Sequence, residues 1–155
     1  TAVELEGVSR WLDGNGTADQ RAAFDAAQQR KAAFTDLVLS ARKRLNEVYD
    51  SNASDSEKRA AKAQVFAQLQ AEFARLKATG NGYSRYDRWF AQHLNNAHLA
   101  SVATYTQLVP AFRALLARQN GDMGKFYAAV KEIGKLPEAE RAAKLPSVTE
   151  GLAQR

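Results

Sequence analysis

Two short patterns constrain this chain more than anything else in it. Thr17-Ala18-Asp19-Gln20 and Ser54-Asp55-Ser56-Glu57 each set a hydroxyl residue three positions ahead of Gln or Glu. At that spacing the hydroxyl accepts from the backbone N–H three residues on, while the longer side chain reaches back to the first residue's own N–H. Each pattern is a helix start. After the first, Phe34, Val38, Ala41, Leu45 and Val48 recur at steps of four, three, four and three, the seam of a coiled coil. After the second, Phe66, Leu69, Phe73 and Leu76 recur at three, four and three. Ser51-Asn52-Ala53 is the turn between them, and Gly80-Asn81-Gly82 ends the second run. The expectation is one helix over about 18–50 and another over about 56–78, lying antiparallel because the turn is so short. At 1.5 Å per residue the longer arm measures on the order of 40–50 Å.

The remaining chain reads as shorter helices. Residues 1–12 look like a helix with Val8, Trp11 and Leu12 on one side, stopped by Asp13-Gly14-Asn15-Gly16. Residues 83–94 lack clean periodicity and read as loop with a helical turn. Residues 94–105 suit a helix, but Val102, Thr104 and Thr106 also suit a strand. Pro110 fits the first turn of a helix facing inward with Phe112, Leu115 and Leu116, ended by Asn120-Gly121. Asp122 caps another, with Met123, Phe126, Tyr127, Val130 and Ile133 on its apolar face. Pro137 opens a last helix over Glu138–Lys144, Pro146 closes it, and 147–155 reads as a loose tail. The fold class expected is mainly α: a long antiparallel helical hairpin plus a bundle of shorter helices. The segments are 1–16, the end of a core helix; 17–80, the hairpin; 81–146, a helical subdomain; and 147–155, the tail.

Alanine supplies much of the 45% apolar content, which favours helix over sheet. At 155 residues the chain can bury a real core. Its net charge of +5 is spread along the sequence and mixed with acids, which describes a solvated surface and not a nucleic-acid face. The absence of cysteine excludes disulfides and thiolate metal sites. No run is apolar enough to span a bilayer, and no signal peptide is visible. There is no initiator methionine and the chain opens inside a helix, as a fragment or processed chain would. A Gly-x-Ser-x-Gly elbow and a glycine-rich phosphate loop are also missing.

The stretch from Arg88 to Phe112 holds both histidines, one tryptophan and the pair Asn95-Asn96. Trp89-Phe90-Ala91, Leu94-Asn95-Asn96-Ala97 and Val109-Pro110-Ala111-Phe112 resemble the C-terminal part of a bacterial family assigned as zinc aminopeptidases. The opening Thr1-Ala2-Val3-Glu4-Leu5-Glu6-Gly7-Val8-Ser9-Arg10-Trp11-Leu12 resembles the same family, where it follows an Asn-Glu-Ser-Phe-Ala segment. The resemblance covers most of the chain, in several blocks in the right order. It implies zinc as the cofactor of the full-length protein, a peptide substrate and a bacterial envelope location. It also implies that the His-Glu-x-x-His helix and the third ligand glutamate lie ahead of Thr1. This chain alone is then expected to bind no zinc, to be inactive, and to pair with the remaining N-terminal part.

The residues themselves agree on the metal. No His-Glu-x-x-His occurs, and His93 and His98, five apart, would point about 140° apart on a helix, so each reads as a surface or loop histidine, or as one hydrogen-bonded to a helix end. Glu4 would lie two turns beyond the family's third ligand, placed to hydrogen-bond a ligating histidine or simply to sit in solvent. Tyr105 is the candidate donor to the carbonyl oxygen on which charge builds in peptide hydrolysis, with His93 as runner-up. The competing expectation for Tyr105 is a buried ring with a satisfied hydroxyl. Asn95 and Asn96 are candidates for gripping a peptide backbone, or for capping a helix. Trp89 and Phe90 are expected in the core. An alternative function is a non-enzymatic module that binds a protein partner through the hairpin. Nucleic-acid binding would require steeply salt-dependent affinity.

Overall fold

A computed structural model describes residues 1–145; the expected end at Pro146 and tail at 147–155 lie outside the described residues. The chain is mainly α, and no strand occurs among the described residues. The helices are α1 (Ala2–Asn15), α2 (Ala18–Asp50), α3 (Asp55–Ala78), α4 (Asp87–Phe90), α5 (Asn96–Thr106), α6 (Val109–Arg118), α7 (Met123–Lys135) and α8 (Glu138–Lys144). A 3-10 turn, Tyr83–Tyr86, precedes α4. No described helix is long and apolar enough to cross a membrane.

Both capping boxes form. Thr17 accepts from the Gln20 N–H at 3.2 Å while Gln20 Oε1 accepts from the Thr17 N–H at 2.9 Å. Ser54 and Glu57 repeat the exchange at 3.4 and 2.8 Å. Two orphan N–H groups are thus satisfied at each start, where an alanine would leave them to water. The Glu57 carboxyl is held below its ordinary range by its hydrogen bonds to Ser54.

The chain divides into two compact units, each taken by itself: Trp11–Thr104, and Thr1–Arg10 with Tyr105–Arg155. In the first unit, Phe34, Val38, Ala41 and Leu45 of α2 are buried with Val65, Leu69 and Phe73 of α3. Phe66 and Leu76 sit at the margin, so the α3 stripe is centred nearer Val65 than the spacing alone suggests. Lys58 Nζ donates to the Tyr49 carbonyl at 2.9 Å, and farther back Arg44 grips Glu72 through two bonds of 2.7 and 2.8 Å. The Arg44 hydrogen bonds hold the Glu72 carboxyl below its ordinary range, and the same bonds raise Arg44. Tyr83, Phe90 and Leu99 close this core. Phe90 stacks on Phe73 at 3.7 Å between ring centroids, and Trp89 packs edge-on to Phe34 at 5.2 Å.

In the other unit Leu115 and Leu116 of α6 bury against Phe126 of α7, with Phe112, Val130, Ile133 and Leu145 around them. Pro110 stands in the first turn of α6, and Asp122 caps α7 by accepting from the Lys125 N–H at 3.0 Å. Arg10 donates to the Gly121 carbonyl.

The choice left open for residues 94–105 resolves as helix over Asn96–Thr106, where Leu99 and Ala103, four apart, are buried together. Several other local expectations are corrected. The α1 helix runs through Asp13, Gly14 and Asn15 and stops at Gly16, where a Cβ would stand 2.7 Å from Leu12 Cδ2. Trp11 is 55% exposed and Val8 38%, leaving Leu12 alone of that trio buried. Tyr127 is 53% exposed, off the apolar face assigned to it.

Candidate functional site

The histidine-bearing stretch becomes a helix cap. Asn95 precedes α5, and its Oδ1 accepts from the Ala97 N–H at 2.9 Å and the His98 N–H at 3.4 Å. The Asn95 N–H donates back to His98 Nδ1 at 3.3 Å. This is the reciprocal exchange of a capping box, with histidine in the position usually taken by Gln or Glu. His98 Nδ1 also lies 3.0 Å from Asn95 Oδ1, and Nε2 lies 3.2 Å from Gln92 Oε1, so both ring nitrogens are engaged. The Trp89 ring stands edge-on to the imidazole at 6.3 Å.

Asn96 begins α5 and donates from Nδ2 to the Tyr49 hydroxyl at 2.8 Å, tying the start of α5 to the end of α2. Tyr49 is 41% exposed, so this tether faces solvent. Gln70 Nε2 donates to the Phe90 carbonyl at 3.0 Å and holds the end of α4 to α3. The cap is thus braced from α2 through Tyr49 and from α4 through Trp89.

His93 lies in the connection before α5, exposed, with a ring that bonds nothing among the described residues. His93, Asn95 and Asn96 share the first unit. Glu4 and Tyr105 belong to the other. Glu4 stands in the first turn of α1 and accepts from the Thr1 amine at 2.9 Å. Tyr105 is 79% exposed, which overturns the expectation of a buried ring with a satisfied hydroxyl. Phe90 is core and Trp89 packs against it, as expected.

His98 is a histidine hydrogen-bonded to a helix end, one of the readings open from sequence, and the Asn95-x-x-His98 spacing is that of both capping boxes. Two participants were missed from sequence: Gln92 beside the far nitrogen of His98, and Tyr49 as the tether. Tyr49 had no local signal, being 47 residues away.

Among the described residues no three His, Cys, Asp or Glu side chains converge where they could hold a metal ion. A zinc site needs three or four such ligands, so the described residues do not by themselves make up a zinc site. His93 presents an exposed imidazole in one unit and Tyr105 an exposed hydroxyl in the other.

Neither the curated proteins nor the solved structures compared with this chain give a match. A family model described as "Putative aminopeptidase" matches residues 1–145, and the chain belongs to that family.

Proposed function

We propose that this chain is the helical scaffold and one cleft wall of a zinc-dependent aminopeptidase whose metal-binding motif lies in sequence ahead of Thr1. The observation that carries this reading is the family match over residues 1–145, in a sequence without a His-Glu-x-x-His and with no converging ligand set among the described residues. No role below runs through the metal. The exposed Tyr105 hydroxyl donates to the scissile carbonyl oxygen as negative charge gathers there, with His93 as the alternative donor. Glu4 accepts from the ring N–H of a histidine supplied by the upstream part and holds its tautomer. Asn96 has one amide hydrogen bond, through Nδ2, which leaves Oδ1 for a peptide N–H. Asn95 could grip a peptide only by giving up its cap. We place the whole protein in a bacterial envelope on the family resemblance alone.

A second reading rests on the groove between α2 and α3, whose floor is Ala33, Leu37 and Leu76 and whose rim includes Asp36, Arg75 and the Arg44–Glu72 pair. A protein-binding module without catalysis would use this face.

The test sets this chain beside a version extended upstream through the expected motif, measuring zinc content and release of an N-terminal residue from peptides. Tight zinc and activity in the extended form only is the expected result. Zinc and activity in the short chain would refute the ligand argument. Neither property in either form would transfer support to the binding module.

A further inference from the structure

The far end of the α2–α3 pair holds cations that the family reading does not use. Arg30 of α2 lies across the turn after α3, with its Cδ, Nε and Cζ 3.6–3.8 Å from where a Cβ on Gly82 would stand. Four residues on, Phe34 stacks on Tyr86 at 4.3 Å and 4° between planes, so Arg30 and Tyr86 are brought to one place by one face of α2. Arg85 sets its guanidinium carbon 5.7 Å from the centre of the Tyr86 ring. Arg30 Nε is shut off from solvent and has no hydrogen-bond partner. Neither guanidinium forms an ion pair among the described residues, and the Tyr86 hydroxyl makes no hydrogen bond there. The adjacent carboxylate, Asp87, is held by Lys77 at 2.6 Å.

Arg44 is the instructive contrast. Its Nε is also unpartnered, but its other two nitrogens close on Glu72, so its charge is answered within the chain. At Arg30 and Arg85 no carboxylate answers it among the described residues. Two planar forks and a phenol gathered without an acid suit a group with several acceptor oxygens, since guanidinium matches carboxylate and phosphate geometry. Burial pushes the Tyr86 phenol above its ordinary value, against the pull of the Arg85 and Arg30 charges, which keeps it a donor.

We propose that Arg30, Arg85 and Tyr86 form a binding site for an oxyanion, either the carboxylate of an acidic peptide or a phosphate. The site is independent of the peptidase reading and stands or falls without it.

The test follows the arginine Nε–H signals of the intact chain by NMR at fixed ionic strength. Inorganic phosphate and an acetylated, amidated triaspartate peptide are titrated separately. A saturable shift of the Arg30 and Arg85 signals is expected, with Kd on the order of millimolar. Arg30→Gln should weaken it roughly tenfold, as loss of a charge-assisted bond does, and Tyr86→Phe by less. Arg59→Gln, at an exposed position on α3, should leave it unchanged. Saturation by the peptide but not phosphate names a carboxylate as the source, and the reverse names phosphate. Shifts that never saturate with either probe overturn the site, as does equal weakening in Arg59→Gln. If Arg30→Gln does not fold, the titration of the unaltered chain still decides.

Discussion

Asn95→Ala separates the structural role of Asn95 from the substrate role its sequence context suggested. The side chain provides one bond of normal length, to the Ala97 N–H at 2.9 Å, and one near the outer limit, to the His98 N–H at 3.4 Å. The site is exposed, so water takes over part of what is lost. An N-cap removed to alanine costs ~0.5–2 kcal/mol, and one good bond in solvent argues for the middle of that range, ~1 kcal/mol. For a chain of this size that lowers Tm by ~2–4 °C. Urea unfolding followed by far-UV circular dichroism gives the free energy, and tryptophan emission gives a local view, because the Trp89 ring stands 6.3 Å from His98. Asn95→Asp and Asn95→Gly should recover most of the loss, since aspartate caps as well as asparagine and glycine costs only a few tenths. His98→Ala combined with Asn95→Ala should lose less than the sum of the two singles, by ~0.5 kcal/mol or more, because the residues share reciprocal bonds. An Asn95→Ala chain as stable as its parent would refute the cap and return Asn95 to the list of peptide contacts.

Other expectations follow from the same structure. Leu69 is fully buried between α2 and α3, so Leu69→Ala should cost ~2–5 kcal/mol in urea titration, whereas a cost below ~1 would mean the two helices are not packed as described. Thr17→Ala removes half of a capping box at the head of the longest helix and should lose ~0.5–2 kcal/mol, with Thr17→Ser close to neutral. Glu72 is held below its ordinary value of 4.5 by Arg44, so its contribution is present above that pH and fades as pH falls through the lower folded value. Both partners are about a third exposed, which limits the effect to ~1 kcal/mol or less; Glu72→Gln should flatten the acid limb of stability against pH, and an unchanged limb would dismiss the pair.

Local patterns carried most of the fold. The two capping boxes, the four-and-three spacing of Phe34, Val38, Ala41 and Leu45, Pro110 in a first turn and Asp122 at a cap are each readable within one or two helical turns. Their partners lie that close in the chain, so the physics that forms them is written in consecutive residues. Tertiary packing decided the rest. Residues 96–106 are helix and not strand because burying Leu99 and Ala103 together outweighs the β preference of Val102, Thr104 and Thr106. The α1 helix overruns its glycine, and Trp11 and Tyr105 stay in solvent, for reasons of burial that no local pattern records.

The candidate site divides along the same line. That Asn95-Asn96 begins a helix was legible from residue type. That Asn96 reaches Tyr49, that Gln92 engages the far nitrogen of His98, and that Arg30 comes to rest beside Tyr86 were not. Each joins residues separated by a loop or by a whole helix, and sequence spacing predicts a contact only where both partners ride on one element. By itself the sequence determined where the long helices start and which faces they bury. The tertiary structure alone decided which polar side chains meet across those faces, because only packing brings distant elements within hydrogen-bonding reach.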